Sequence, residues 1–499
     1  MSSIKKLAGQ TIWYGVSSMA SRFLTYLLTP YLTGKLSVAL YGDMSLVYAA
    51  IPFLNVIFTY GLETAFFRYA QKEGKPDEVY NTLMMSMLVS TVILSALLLL
   101  NAGHLAQLLR MEEHPEYLRW CTYIIALDAL ATLPFARLRQ EGRPVRYAVI
   151  RITGVLVNIG MVYFFLSVCP RLVSQPGGSF VSLFFRPDNG VGYIIIANLI
   201  QAAVTLVMLY KQLAQFKFSF NARLWKEIMI YSLPLTVAGF GGMINETFDR
   251  IMLNWWAPGS TELAAKVQVG IYSANYKLSI LITLFITAFR MGAEPFFFKQ
   301  AGEGNAPRTY ARIMKFFVIT ITLMFLFVAL YLDIWKHFIR NKDMWVGLKV
   351  VPILLFANMF LGIYYNLSIW YKLSGRTMAG AWITLIGAAV TLAINAAFIP
   401  FFSYMACAWA TCLCYGTMMV ISFIWGQKAY PVPYAWKKLV AYMVIVLVLF
   451  LIHKGLTLLW SSTIFSLVLA TLFMGAYALF IIKIERKEFG KLPVIGKYI

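Results

Sequence analysis

Charge is scarce in this 499-residue chain: Asp, Glu, Lys and Arg together make up 13% of it, against about 25% in soluble domains. The five cysteines, Cys121, Cys169, Cys407, Cys412 and Cys414, show neither CxxC nor metal-ligand spacing and read as small core residues. Only four histidines occur, His104, His114, His337 and His453, all in or near loops, which argues against a histidine proton relay or a zinc site. There is no Gly-x-x-x-x-Gly-Lys-Ser/Thr phosphate loop, so any active transport is not driven by ATP bound to this chain. Long loops are also missing. The longest candidates, around 101–117 and 170–190, are too small for a folded extracellular domain, which counts against a membrane-embedded glycan polymerase or glycosyltransferase.

What the chain has instead is apolar length. Hydrophobic residues make up 60% of it, and runs such as Leu88–Leu100, Tyr193–Leu209, Phe316–Leu332 and Ala441–Ile452 are nearly free of charge. A helix crosses the hydrocarbon core in about 20 residues. That rule predicts spans near 8–33, 40–62, 81–101, 117–138, 148–169, 191–212, 228–256, 269–291, 313–332, 347–370, 379–399, 404–425, 439–459 and 462–482. The expectation is an all-α polytopic membrane protein of about fourteen helices, with both termini on one side. The first segment follows Lys5 and Lys6 like a signal peptide, but Arg22 interrupts it and no cleavage site follows, so it reads as a retained helix.

The formal net charge is +22, which raises nucleic-acid binding as a possibility. Topology accounts for it better. With a cytoplasmic N-terminus, 29 of the 43 basic residues fall in cytoplasmic segments and 11 outside, the positive-inside bias, with Arg22, Arg250 and Lys277 left within spans. No basic helix or nucleic-acid motif is present, so no nucleic-acid partner is expected, and anionic membrane lipids are.

An internal repeat organises the spans. Gly61–Ala70 matches Gly292–Ala301 at five of ten positions, with an offset of 231. Gly42, Ser45 and Tyr48 match Gly270, Ser273 and Tyr276 at 228, and Gly142-Arg143 with Gly154 matches Gly375-Arg376 with Gly387 at 233. An even number of spans per copy implies two pseudo-symmetric six-helix lobes facing the same way, with two further helices at the C-terminus. The expected divisions are 1–215, 216–427 and 428–499.

Applied to the first span, the offset of 228 equates Arg22 with Arg250. Lys277, about 12 Å in from the outer end of the eighth span, is expected at a similar depth to Arg250. A charge at membrane depth costs at least about 2.5–3.5 kcal/mol unless it pairs, snorkels or lines a polar cavity. Each cation alone reads equally as snorkelling. Their shared depth and symmetry point to an anion site in a central cavity. Asp249, Glu246, Asp43 and Asp128 are the acids at or near that depth, either neutralising the cations or holding a coupling proton or sodium ion; no other cofactor is expected. Tyr26, Asn55, Asn245, Asn275 and Tyr276 are candidate sugar contacts, with interhelical packing as the alternative. Glu63 with Arg68, and Glu294 with Lys299, mark equivalent cytoplasmic helix ends and read as anchors or gate pairs.

The order of Ser21-Arg22, Tyr41-Gly42, Phe248-Asp249-Arg250, Gly270-Ile271-Tyr272-Ser273 and Glu294-Pro295-Phe296-Phe297 resembles the polysaccharide-transport family of the multidrug/oligosaccharidyl-lipid/polysaccharide (MOP) exporter superfamily. That resemblance implies an inner-membrane flippase, not an enzyme, for undecaprenyl-pyrophosphate-linked oligosaccharides of lipopolysaccharide O-antigen, capsule or exopolysaccharide. It also implies partnership with the glycan polymerase and assembly machinery. The related lipid II flippase uses a cationic central cavity, in agreement with Arg22, Arg250 and Lys277. The alternatives are a small-molecule exporter of the same superfamily, a lipid II flippase and, less well supported, a glycan polymerase.

Overall fold

The computed structural model describes residues 2–174, 181–183, 185–187, 189–259, 261–301, 305–460 and 462–489, and among these there is no strand. The long elements are α1 (Ser2–Leu27), α2 (Thr29–Lys35), α3 (Val38–Thr59), α4 (Leu62–Glu73), α5 (Pro76–Leu100), α6 (Pro115–Gln140), α7 (Pro144–Tyr163), α8 (Gly190–Met208), α9 (Ala222–Trp256) and α10 (Glu262–Gln300). They continue with α11 (Ala306–Ala329), α12 (Val351–Leu367), α13 (Ile369–Leu373), α14 (Thr377–Phe402), α15 (Tyr404–Ala429), α16 (Trp436–Leu459) and α17 (Thr463–Ile484). Among the described residues, thirteen helical stretches are long and apolar enough to cross a membrane. With α1–α2 the architecture is the all-α polytopic bundle of about fourteen helices that the hydropathy predicts.

Local chemistry sets the helix starts. Ser37, Asn221, Thr261 and Ser462 precede helices and accept a hydrogen bond from a backbone N–H three residues on, removing an orphan donor. Pro76, Pro115 and Pro144 occupy first-turn positions, where the missing N–H costs nothing. Outward faces carry side chains such as Ile93, Leu100, Val444, Leu451 and Leu459, exposed here because the bilayer is their solvent.

Helices α5–α8 pack among themselves, with α7 also against α1, and α9, α12, α14 and α15 form a second packed set. The two sets meet where α3 lies along α9 and α10, and where α1 crosses α10. The α3–α10 crossing is closest at two glycines. A Cβ on Gly42 would lie 2.0 Å from the Lys266 carbonyl oxygen, and one on Gly270 would lie 2.1 Å from that of Val38. Gly42 with Gly270, and Val38 with Lys266, share the offset of 228, so the contact is reciprocal. Helices α16 and α17 attach through α11.

The predicted span 40–62 stops early. The chain breaks at Tyr60 (φ 30°) and Gly61 (φ 73°), both left-handed, before α4 restarts at Leu62. Its counterpart α10 runs unbroken through Gly292 to Gln300.

Candidate functional site

Between the two packed sets lies a cavity of about 740 Å³. Arg22 from α1, Arg151 from α7, and Lys277 and Arg290 from α10 line it, and Glu246 from α9 is its one acid. A second chamber of about 430 Å³ adjoins it, and Thr25, Gln201, Glu246, Tyr276, Lys277 and Ile280 line both. Arg290 is paired with Glu294 at 3.4 Å, so Arg22, Arg151 and Lys277 against Glu246 leave the larger chamber with a net positive lining among the described residues. No carboxylate lies within ion-pairing distance of Arg22, Arg151 or Lys277 among the described residues. Arg151 is held over the Phe135 ring at 4.6 Å and Arg290 over the Tyr365 ring at 3.9 Å, which fixes each guanidinium by cation–π contact.

Arg151 and Arg290, at the cytoplasmic ends of the expected spans 148–169 and 269–291, are counted with the cytoplasmic residues in the charge balance. The signal against that assignment is the continuity of the helices: α7 starts at Pro144 and α10 ends at Gln300, so both arginines are a turn or more inside.

Arg250 differs from Arg22, Arg151 and Lys277. Its Nη1 lies 2.9 Å from Asp249 Oδ1 and donates to the Glu246 carbonyl at 2.8 Å. The guanidinium covers the Tyr276 ring at 4.4 Å. Asp249 Oδ2 accepts from the Tyr272 hydroxyl at 2.6 Å, and the side chains of Arg250 and Asp249 are only 11% and 3% exposed. This is a buried, satisfied ion pair on the wall of the smaller chamber.

The expected equal depth of Arg22 and Arg250 is corrected. Arg250 is six residues from the helix end at Trp256, about 9 Å, whereas Arg22 is thirteen residues from the end of α2 at Lys35, about 20 Å. The connection to the next helix is 36–37 in one copy and 257–261 in the other, so the offset set on α3 and α10 does not carry back through it. Arg22 and Lys277 share the larger chamber, which Arg250 does not line, while Lys277 and Arg250 share the smaller one.

Of the expected sugar contacts, Tyr26, Asn245 and Tyr276 line the larger chamber. The Asn245 amide already donates to the Thr384 carbonyl at 3.2 Å, and its oxygen accepts from Thr391 at 3.3 Å. Asn275 is corrected: it is fully buried away from the cavity, donating to the carbonyls of Ile271 and Met344 at 2.8 and 2.7 Å. Asn55 is corrected too, since it lines neither chamber. For Asn275, helix rotation turned the side chain toward the segment at Met344, which span assignment does not resolve.

Among the acids, Asp43 pairs with Lys266 at 3.2 Å beside the glycine crossing, outside the cavity. Asp128 on α6 lies within electrostatic reach of Arg151. At the other membrane face, Glu63 bonds Arg139 rather than Arg68, whose guanidinium covers the Tyr231 ring of α9 at 4.2 Å. Glu294 pairs with Lys372 at 2.6 Å and Arg290 at 3.4 Å. Arg139 and Lys372 are 233 apart, the third repeat offset, so the same ion pair joins equivalent helices in each copy. The Lys299 side chain lies outside the described residues.

A protein-family model described as "Polysaccharide biosynthesis protein" matches residues 7–300. An uncharacterized membrane protein of Haemophilus influenzae is 19% identical over 359 residues, covering 70% of this chain and 80% of its own. The lipid II flippase MurJ, inward closed, superposes with a TM-score of 0.71 at 13% identity, covering 95% of this chain and 99% of its own. An inward-facing multidrug resistance MATE family transporter of the MOP superfamily gives 0.61 at 15% identity, over 85% of this chain and 95% of its own. A Vibrio cholerae MATE transporter in the bent form gives 0.56 at 13%, over 86% and 98%. At such identities these structures establish the shared fold.

Proposed function

Because the chain belongs to the polysaccharide biosynthesis family and has the fold of the MOP superfamily, we propose that it is a flippase for a polyprenyl-pyrophosphate-linked oligosaccharide. The observation that carries the reading is the larger chamber, where Arg22, Arg151 and Lys277, none of them ion-paired among the described residues, share the lining with a single carboxylate, Glu246. A pyrophosphate carries about two negative charges and does not cross about 30 Å of hydrocarbon unaided. The guanidinium fork matches phosphate oxygens with paired N–H donors, and Lys277 adds a mobile ammonium. Tyr26, Tyr276, Tyr364 and Tyr365 supply faces for sugar rings. The polyprenyl tail stays in lipid while the headgroup occupies the cavity between the lobes, and rocking of the lobes exposes it to each side in turn. The cargo is moved and not chemically altered. Glu246, the only acid lining the chamber among the described residues, is the group whose protonation or sodium binding would couple transport to an ion gradient.

The test is surface glycan in a strain lacking the gene, complemented with Arg22→Ala or Lys277→Ala. We expect each, at normal membrane levels, to lower export about tenfold or more, the loss of roughly one charge-assisted contact. Normal export by both variants overturns the anion site. Deletion should leave lipid-linked oligosaccharide in the cytoplasmic leaflet; unpolymerised oligosaccharide accumulating outside would make the protein a polymerase. Near-full-length similarity to the lipid II flippase supports the same headgroup chemistry with peptidoglycan precursor as cargo, and rescue of a strain depleted of that flippase discriminates the two.

A further inference from the structure

A third pocket, of about 640 Å³, opens at the membrane face opposite the N-terminus, on the seam between the two helix sets. Its walls are α2 and the segment just before α12: Tyr31, Gly34 and Lys35 on one side, Arg340 and Asn341 on the other. Thr33 Oγ1 accepts from the Arg340 backbone N–H at 3.1 Å and pins the two walls together. A Cβ at Gly34 would press on Arg340 Cβ at 3.2 Å, so the glycine lets the arginine lie along the helix. Tyr31 is fixed by a 2.6 Å hydrogen bond with Ser167.

Three features give the pocket a chemistry. It is cationic: Lys35 and Arg340 have no carboxylate within ion-pairing distance among the described residues, whereas Lys336 and Lys266 nearby are neutralised by Asp333 and Asp43. Arg171 adds charge within electrostatic reach of Tyr31. Its base is apolar: Leu27 lines it, and Leu27 and Phe23, one turn apart on α1, are 49% and 48% exposed. It adjoins the cavity, because Tyr26 lines the larger chamber and stacks at 4.6 Å on Phe338, two residues before Arg340. An apolar base under two unpaired cations fits an amphiphile with an anionic head.

We propose that this pocket binds the phosphate of a lipid headgroup in the leaflet opposite the N-terminus, holding transported lipid phosphate as it leaves past the Tyr26–Phe338 pair. The exit role rests on the flippase reading; the binding does not. Lys35 and Arg340 take the phosphate oxygens and the lipid chain runs down past Leu27 and Phe23.

The experiment uses the purified full chain and dioleoyl phosphatidate as probe, with retained lipid counted by native mass spectrometry. Lys35→Gln with Arg340→Gln should weaken retention roughly 30-fold, and either alone about fivefold, as expected for surface cations facing an anionic lipid. Lys35→Arg with Arg340→Lys should restore it. Unchanged retention in the double Gln variant at an unaltered melting temperature overturns the site. Inorganic pyrophosphate binding as tightly as phosphatidate overturns the lipid source and makes it a free-anion site. No transport is read, so lipid lost in the double Gln variant alongside full export by Arg22→Ala and Lys277→Ala upholds the site while the flippase reading falls.

Discussion

Helices α3 and α4 in the first half and α10 in the second carry matching Gly-x-Glu sequences, yet one breaks and the other runs on. At Gly61 both it and Tyr60 adopt left-handed backbone, and the turn lies against α9, where a Cβ would come 3.2 Å from the Ser232 carbonyl oxygen. At Gly292 nothing lies within 4 Å, and the helix continues, keeping Arg290 on the cavity wall. The first copy thus uses its glycine to turn, and the second uses the same position as ordinary helix. Two arginines that are not at equivalent positions also differ. Arg22 is unpaired in the larger chamber with Ser21 beside it, while Arg250 is neutralised by its neighbour Asp249. The two helix sets contribute different side chains to the site.

The largest expected effect separates those arginines. Arg250→Ala leaves Asp249 buried without its partner and should destabilise the protein by about 3–5 kcal/mol, read as a lower melting temperature in detergent. Adding Asp249→Asn should recover much of that. Arg22→Gln should leave the melting temperature unchanged while export falls. Equal melting losses for both arginines would erase the distinction.

Next come positions where the copies agree. Gly42→Ala and Gly270→Ala each drive a methyl into a facing carbonyl and should cost about 1–3 kcal/mol, by similar amounts. A large inequality would show that the reciprocal contact is not energetically reciprocal.

A clasp found on one copy alone gives a pH test. Glu485, beyond the end of α17, lies 2.9 Å from Lys315 of α11 and 2.5 Å from Lys438 of α16, and accepts from Tyr442 at 2.6 Å. Burial works against its ionisation, but the bonds from Lys438, Tyr442 and Lys315 outweigh it and hold the carboxyl below its ordinary value. The stability it contributes is present above the unfolded-state value, about 4.3, and is lost as pH falls through the lower folded value. Relative to Glu485→Gln, the native chain should lose about 1–2 kcal/mol on acidification below pH about 4. A constant difference between the two across that range would remove the clasp.

The smallest effect is at the helix break. Gly61→Ala should cost about 1 kcal/mol for its left-handed backbone, whereas Gly292→Ala should be neutral or stabilise by about 0.5–1 kcal/mol. Matching signs would mean that the two positions are conformationally alike.

Most of the framework was legible from hydropathy, because a spanning helix is a long signal averaged over about 20 residues. So was the presence of cations at depth: Arg22 and Lys277 stand out by their cost, and both reach the cavity. Rotation about each helix axis was not legible. Asn275 and Tyr276 are neighbours in sequence, yet one bonds the Met344 carbonyl and the other faces the chamber. Nor was the change in register between α2 and α9, which comes from connections of unequal length. Arg151 and Arg290 escaped notice because a charge near a helix end reads as a loop residue until the helix is seen to continue past it.

The glycine crossing has one further meaning. Gly42 meets the residue four before Gly270, and Gly270 meets the residue four before Gly42. Each surface is therefore complementary to itself, the signature of an isologous interface between two identical subunits. Within one polypeptide it has the form of a homodimer whose subunits were joined end to end. In such an ancestor a single substitution at this glycine would have struck the contact twice. In the fused chain each half of the contact is free to change alone, so Gly42 with Lys266 and Gly270 with Val38 are separate targets for substitution.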